Sequence, residues 1–354
     1  MNEDLDRLRS GCERALTLHG IRSADSFLSE MAAGPADVYG EGGAVEELET
    51  EVGELLQKPA VVFMPSGTMA QQIALRVHAD RRNLRTFGCH PTSHLELHED
   101  NAYQRLHDLF AVPVGNSRTL LSRADLAEVH EPLSSVLFEL PQREIGGQLP
   151  AWSDLEEQIA YARGRDAAVH VDGARLWECT PYYAKELHEI AALFDTVYVS
   201  FYKGLGALSG CCLAGEEDVI QEARLWRHRH GGTLWSLWPL AASALGAMRK
   251  RLPLMPTYYE HAVAIAAALH DVPGVEIVPD PPQTPAMHLH LRTTKDRLEE
   301  AVRVVAEKES IWTWSWSFEA DTPSIRVVEL AVGDATLDFT PAEVAGIVAR
   351  FVTT

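Results

Sequence analysis

Lysine is scarce in this sequence: six among 354 residues, at Lys58, Lys185, Lys203, Lys250, Lys295 and Lys308. Basic charge as a whole is outnumbered, 31 lysines and arginines against 51 aspartates and glutamates, for a formal net charge of −20. Such a surface repels polyanions, which argues against nucleic acid or an anionic membrane as partner, while a local basic cluster still suits a small phosphate-bearing ligand. Cysteine is rare too. Its five copies (Cys12, Cys89, Cys179, Cys211, Cys212) are odd in number and lack C-x-x-C spacing, so they read as reduced core residues. No uninterrupted apolar stretch is long enough to span a bilayer, and Met1-Asn2-Glu3-Asp4 lacks the cationic-then-apolar order of a secretory leader. The expectation is a cytoplasmic protein without membrane contact.

Residues 1–36 read as a polar, helix-like arm, followed by the flexible stretch Tyr39-Gly40-Glu41-Gly42-Gly43. A helix is expected from Ala44 to Lys58. Short apolar runs then alternate with helical stretches: Ala60–Met64, Thr86–Gly88, Ser135–Glu139, Ala167–Val171, Thr196–Phe201 and Cys211–Ala214. That alternation predicts an α/β domain over residues 37–250 with a mostly parallel sheet. Past Leu252-Pro253-Leu254 the pattern changes to a long helix (Tyr258–Leu269), strands at Val275–Val278 and Met287–Leu291, and a helix at Lys295–Lys308. A smaller α+β domain over residues 251–354 follows from it.

Lys203 differs from the other lysines by its setting. It ends the apolar run Val197-Tyr198-Val199-Ser200-Phe201-Tyr202 and precedes Gly204-Leu205-Gly206. An amine held in low dielectric loses its proton more readily and becomes a nucleophile able to form a Schiff base with an aldehyde such as that of pyridoxal phosphate. A lysine snorkelling from a buried strand is the plainer alternative. Ser66-Gly67-Thr68 follows a predicted strand and opens a helix, an arrangement for holding phosphate on backbone N–H groups or for ordinary N-capping. Asp172 closes the strand Ala168-Val169-His170-Val171, where a carboxylate suits a pyridinium nitrogen, unless it merely pairs with Arg175. His94 and His98 flank Glu96 in an H-x-E-x-H order that differs from the zincin motif, so a stacking or general-base imidazole is favoured over a metal site. Arg326, between apolar strand residues, suits a carboxylate clamp or an exposed sheet edge.

The order of these elements resembles that of fold type I pyridoxal-phosphate enzymes. Val38-Tyr39-Gly40-Glu41, Phe63-Met64-Pro65-Ser66-Gly67-Thr68, His170-Val171-Asp172-Gly173-Ala174-Arg175 and Lys203-Gly204-Leu205-Gly206 look like the threonine aldolase and β-eliminating lyase family, from about Val38 to Arg326. The resemblance implies a large domain with a mostly parallel sheet, a smaller C-terminal domain, and pyridoxal 5′-phosphate as cofactor. It implies that Ser66, Gly67 and Thr68 hold the phosphate with Ser200 beside them, that His94 stacks on the ring, and that Asp172 pairs with the ring nitrogen. Arg175 then orients cofactor or substrate, Lys203 bonds the cofactor, and Arg326 binds the substrate carboxylate. The family forms homodimers or homotetramers with shared sites, and Tyr39 is the candidate to cross between subunits. The implied reaction is cleavage of a β-hydroxy-α-amino acid to glycine and an aldehyde.

The chain departs from the family at three places. Where family aldolases carry Glu-Asn-Thr-His it has Glu139-Leu140-Pro141-Gln142, so a second histidine is missing unless His90 or His98 supplies it. Tyr202 precedes the lysine where serine is usual. Trp235 stands where a phosphate-binding arginine is expected, with the basic run Arg224, Arg227, His228, Arg229 and His230 nearby as a substitute. These departures keep β-elimination or transamination of another amino acid open as the reaction. Trp235 and Trp238 suit either a bulky side-chain pocket or core packing.

Overall fold

Strands rich in Val and Thr organise the larger part of the chain. The computed structural model describes residues 3–320 and 322–352. It divides into two units, one holding residues 27–145 and 149–253, the other residues 3–26, 146–148 and 254–352 among those described. In the first unit a seven-stranded sheet runs in the order Ala60–Met64, Cys211–Gly215, Thr196–Ser200, Ala168–Gly173, Ser135–Glu139, Thr86–Cys89, Phe110–Pro113. All neighbours from Thr196–Ser200 to Phe110–Pro113 are parallel, while Cys211–Gly215 is antiparallel to both of its neighbours. The reason for the reversal is the connection. Residues 201–210 hold no helix, and a parallel return needs a crossover of a dozen or more residues.

The three central strands Ala168–Gly173, Thr196–Ser200 and Cys211–Gly215 are buried at every position, as expected of strands covered on both faces. On one face the helix Gly67–Arg82 lays Ala70, Ile73, Ala74 and Val77 against Val62, Met64 and Leu213, joined by Ile220 and Ala223 of the helix Glu217–Arg229. The helix Gly43–Leu56, with Val45, Leu48, Val52 and Leu56 buried, packs on strands Ala60–Met64 and Cys211–Gly215 and on the helix Trp238–Arg251.

The second unit carries a four-stranded antiparallel sheet ordered Phe318–Glu319, Ile325–Ala331, Ala286–Arg292, Val275–Val278, with helices Met255–Leu269, Lys295–Glu309 and Pro341–Val348. Here the structure differs from the expected separate arm. Residues 3–26 fold within this unit: Arg14–Ala15 pairs in parallel with Ile311–Trp312, and the helix Glu3–Gly11 contacts Lys295–Glu309. Burial of Ala15 and Leu16 is the physical reason, because apolar residues tie the segment to a core that polarity at its start does not disclose. No helix among the described residues is long and apolar enough to cross a membrane.

Candidate active site

Parallel strands place their carboxyl ends along one edge of a sheet, and in open α/β folds ligands settle in the crevice there. At that edge the first unit forms a partly open pocket, and Gly67, Thr68, His94, Asp172, Arg175 and Lys203 all line it. Six of the residues singled out in the sequence therefore meet in one cavity. Ser66 lies just before it, as the residue preceding the helix Gly67–Arg82. Ser200 is fully buried at the end of its strand, where its carbonyl accepts the Trp177 indole N–H at 2.8 Å.

No side chain caps the helix Gly67–Arg82, so the alternative of an N-cap hydroxyl at Ser66 or Thr68 does not apply. Gly67 and Thr68 of its first turn line the cavity, and the dipole at a helix start favours an anion. Gly67 is required by contact: a Cβ there would collide with the Tyr198 hydroxyl.

Lys203 sits opposite, half-buried. Burial lowers its proton affinity from the ordinary 10.5, the Arg175 guanidinium lowers it further, and the Asp172 carboxylate works the other way. Gly204 follows because a side chain in its place would run into the Glu178 carboxylate. The Asp172 carboxylate is not spent on Arg175: its Oδ1 accepts the Ala174 backbone N–H at 3.0 Å, while Arg175 Nε lies 3.7 Å from Glu178. Burial pushes the Asp172 carboxyl upward, against the pull of His94 and Lys203. Beside it Glu139 is raised as well, by burial and by the Asp172 charge, and is held by the backbone N–H groups of Arg143 (3.1 Å) and His94 (3.3 Å). Two neighbouring carboxyl groups in a low dielectric resist being charged together.

His94 is oriented by a residue that the sequence reading passed over. Its Nδ1 lies 3.0 Å from Glu99 Oε1, and Glu99 Oε2 accepts the Gln72 amide at 3.2 Å. With Nδ1–H donated to that buried carboxylate, Nε2 carries the lone pair, the tautomer of a general base. The His98 ring lies 5.2 Å from that of His94 with its Nε2 2.9 Å from Glu144, so the two histidines of H-x-E-x-H meet different carboxylates. His90 bonds Thr92 and the Thr119 carbonyl, and Gln142 spends its amide on Glu139 and Thr92.

The remaining candidates lie outside this cavity's lining. Tyr39 is exposed and meets Trp235 edge-on at 5.0 Å. Asp37 fixes that loop, accepting the N–H groups of Leu237 and Trp238 at 2.7 Å and of Gly40 at 2.8 Å. Arg224 is committed to Glu49 and the Val61 carbonyl, and Arg227 to the Phe63 carbonyl, so the basic run braces the fold. Arg326 belongs to the other unit, where its guanidinium donates to Ser317 Oγ at 2.9 Å. Gln71, Glu99, Glu139, Arg143 and Tyr198 line the cavity but carried no signal of their own, since none belongs to a motif whose chemistry needs it.

The donor set fits pyridoxal phosphate: an uncapped helix start for its phosphate, a carboxylate for its ring nitrogen, a low-affinity amine for its aldehyde. Comparisons agree in kind. Residues 20–294 match the β-eliminating lyase family. A Listeria monocytogenes protein assigned as an L-allo-threonine aldolase is 38% identical, with TM-score 0.92 over 99% of this chain and 98% of that one. An Exiguobacterium protein assigned as an aromatic amino acid β-eliminating lyase/threonine aldolase is 36% identical, with TM-score 0.91 over 98% and 99%. The low specificity L-threonine aldolase of Escherichia coli strain K12 is 29% identical over 266 residues, 73% of this chain and 78% of its own.

Proposed function

The chain belongs to the threonine aldolase and β-eliminating lyase family, and from that premise we propose that it is a pyridoxal-phosphate-dependent aldolase cleaving β-hydroxy-α-amino acids to glycine and an aldehyde. One observation carries the reading: the depressed Lys203 amine shares a cavity with Asp172 and the uncapped start of the helix Gly67–Arg82. Pyridoxal phosphate, when bound, supplies a protonated ring that accepts the electron pair of the breaking Cα–Cβ bond.

The chain's own residues do the rest. Lys203 would hold the cofactor through its aldehyde. Gly67 and Thr68, with Ser66 and Ser200, hold the phosphate. Asp172 keeps a proton at the ring nitrogen, and Arg175 orients cofactor or substrate. His94 would flank the ring and, through Nε2, accept the β-hydroxyl proton, with Glu99 stabilising the resulting imidazolium. Arg326 binds the substrate carboxylate. The active form is a homodimer or homotetramer in which Tyr39 of a neighbouring subunit completes the site, a reading supported by the exposure of the Tyr39–Trp235 pair. Five free cysteines support a cytoplasmic setting.

Incubation with threonine and phenylserine tests the reaction, with acetaldehyde and benzaldehyde as the products measured. Aldehyde from wild type, and loss of both aldehyde and the visible cofactor band in Lys203→Ala, is expected. No aldehyde from a panel of β-hydroxy amino acids overturns the aldolase reading. Release of pyruvate and ammonia, or of a keto acid, would instead identify a β-lyase or an aminotransferase, the alternative that the Gln142 position keeps in view.

A further inference from the structure

The helix Gly67–Arg82 presents a second polar residue to the cavity one turn beyond Gly67. Gln71 is 2% exposed and lines the cavity. Its Oε1 lies 2.7 Å from His170 Nε2, while its own Nε2 has no hydrogen-bond partner among the described residues. Buried amide donors without an acceptor are uncommon and call for an explanation.

The orientation of that amide is set from behind. His170 is fully buried on the strand that carries Asp172, two residues earlier and so on the same face. Its Nδ1 lies 2.8 Å from Thr196 Oγ1 and 3.2 Å from the Thr196 backbone carbonyl oxygen, and the same hydroxyl lies 2.8 Å from His78 Nε2. Both imidazoles are buried and neutral, so each carries a single N–H. His78 Nδ1 has no partner, which puts the proton of His78 on Nε2, where it is donated to Thr196. Thr196 then donates its hydroxyl proton to His170 Nδ1. The proton of His170 therefore resides on Nε2 and is donated to Gln71 Oε1. With that proton on Nε2, Gln71 Oε1 accepts and the amide Nε2 is left toward the cavity.

We propose that Gln71 is a further cofactor-holding residue, its side-chain NH₂ kept facing the cavity by the directional chain His78–Thr196–His170 and donating to an anionic oxygen of bound pyridoxal phosphate. The inference rests on the cofactor reading above. Two oxygens of that class exist on the cofactor, the phosphate and the ring phenolate, and pyridoxal, which lacks the phosphate, separates them.

The test strips the cofactor from wild type, Gln71→Glu and Gln71→Met, and measures Kd for pyridoxal phosphate and for pyridoxal by fluorescence titration, with the melting temperature of each apoprotein alongside. Gln71→Glu keeps the acceptor for His170 and turns a carboxylate toward the ligand, so its Kd for pyridoxal phosphate should rise about tenfold or more, the equivalent of one good hydrogen bond. Gln71→Met should show a smaller rise. Weakening toward both ligands assigns the contact to the ring oxygen, and weakening toward pyridoxal phosphate alone assigns it to the phosphate. A shift in melting temperature with Kd unchanged in both variants overturns the proposal. Histidine ¹⁵N spectra of wild type give an independent check: His170 protonated at Nε2 is expected, and protonation at Nδ1 overturns the stated orientation. Failure of wild type to bind pyridoxal phosphate would refute the cofactor reading itself, and this inference with it.

Discussion

Lys203 illustrates how one residue's chemistry is set by its surroundings. Burial is the largest influence on its amine, and Arg175 adds to the same effect by disfavouring a second positive charge nearby. The sign of a pH experiment follows. Only the neutral amine attacks an aldehyde, so capture of pyridoxal phosphate by the apoprotein should rise with pH and reach its midpoint below the 10.5 of an ordinary lysine. Replacing Arg175 with Met removes a positive neighbour and should move that midpoint upward; stopped-flow absorbance across pH 6 to 10 would record it. An unmoved midpoint would mean that Arg175 does not act on the amine. His94 was legible as a candidate from the H-x-E-x-H stretch and the family resemblance, and it lines the cavity. Its partner Glu99 was not, because the pairing depends on how the chain turns after the short helix His94–His98.

At the scale of elements, the strands Ala60–Met64 and Ser135–Glu139 occur at the residues their apolar runs indicate, since β-branched residues in a buried run favour extended backbone. The edge strand Phe110–Pro113 was missed. It is short, largely uncovered and ends in proline, which only an edge position tolerates. The start of the helix Gly67–Arg82 is the element proposed to hold the phosphate, and its glycine packs against Tyr198. Gly67→Ala should therefore destabilise the protein by about 1–3 kcal/mol through overpacking and weaken cofactor binding. Adding Tyr198→Phe should restore part of the melting temperature, because the hydroxyl is the nearest obstacle and the ring carbons remain close. Equal melting temperatures for wild type and Gly67→Ala would show that the loop has room to shift.

For the whole molecule, the exposed Val38, Tyr39, Leu234, Trp235 and Trp238 are the residues on which the proposed subunit contact rests. Wild type should sediment as a dimer or tetramer, and Trp235→Glu together with Tyr39→Asp should shift it to the monomer and remove most aldolase activity; a monomeric, fully active wild type would exclude shared sites. By itself the sequence determined the alternation of strands and helices, the order of the phosphate loop, His94, Asp172 and Lys203, and through these the cofactor class. Those features are local: an apolar run, a glycine beside a lysine, a small polar turn before a helix each depend on adjacent residues. Only the tertiary structure decided the reversed direction of Cys211–Gly215, the place of residues 3–26 within the C-terminal unit, and the partners of the site. Glu99 behind His94, Glu139 beside Asp172, and Gln71 aligned by His170 across 99 positions of sequence are hydrogen-bonding and charge relations. They come into being when separate strands and a helix meet at one sheet edge, and no run of neighbouring residues encodes them.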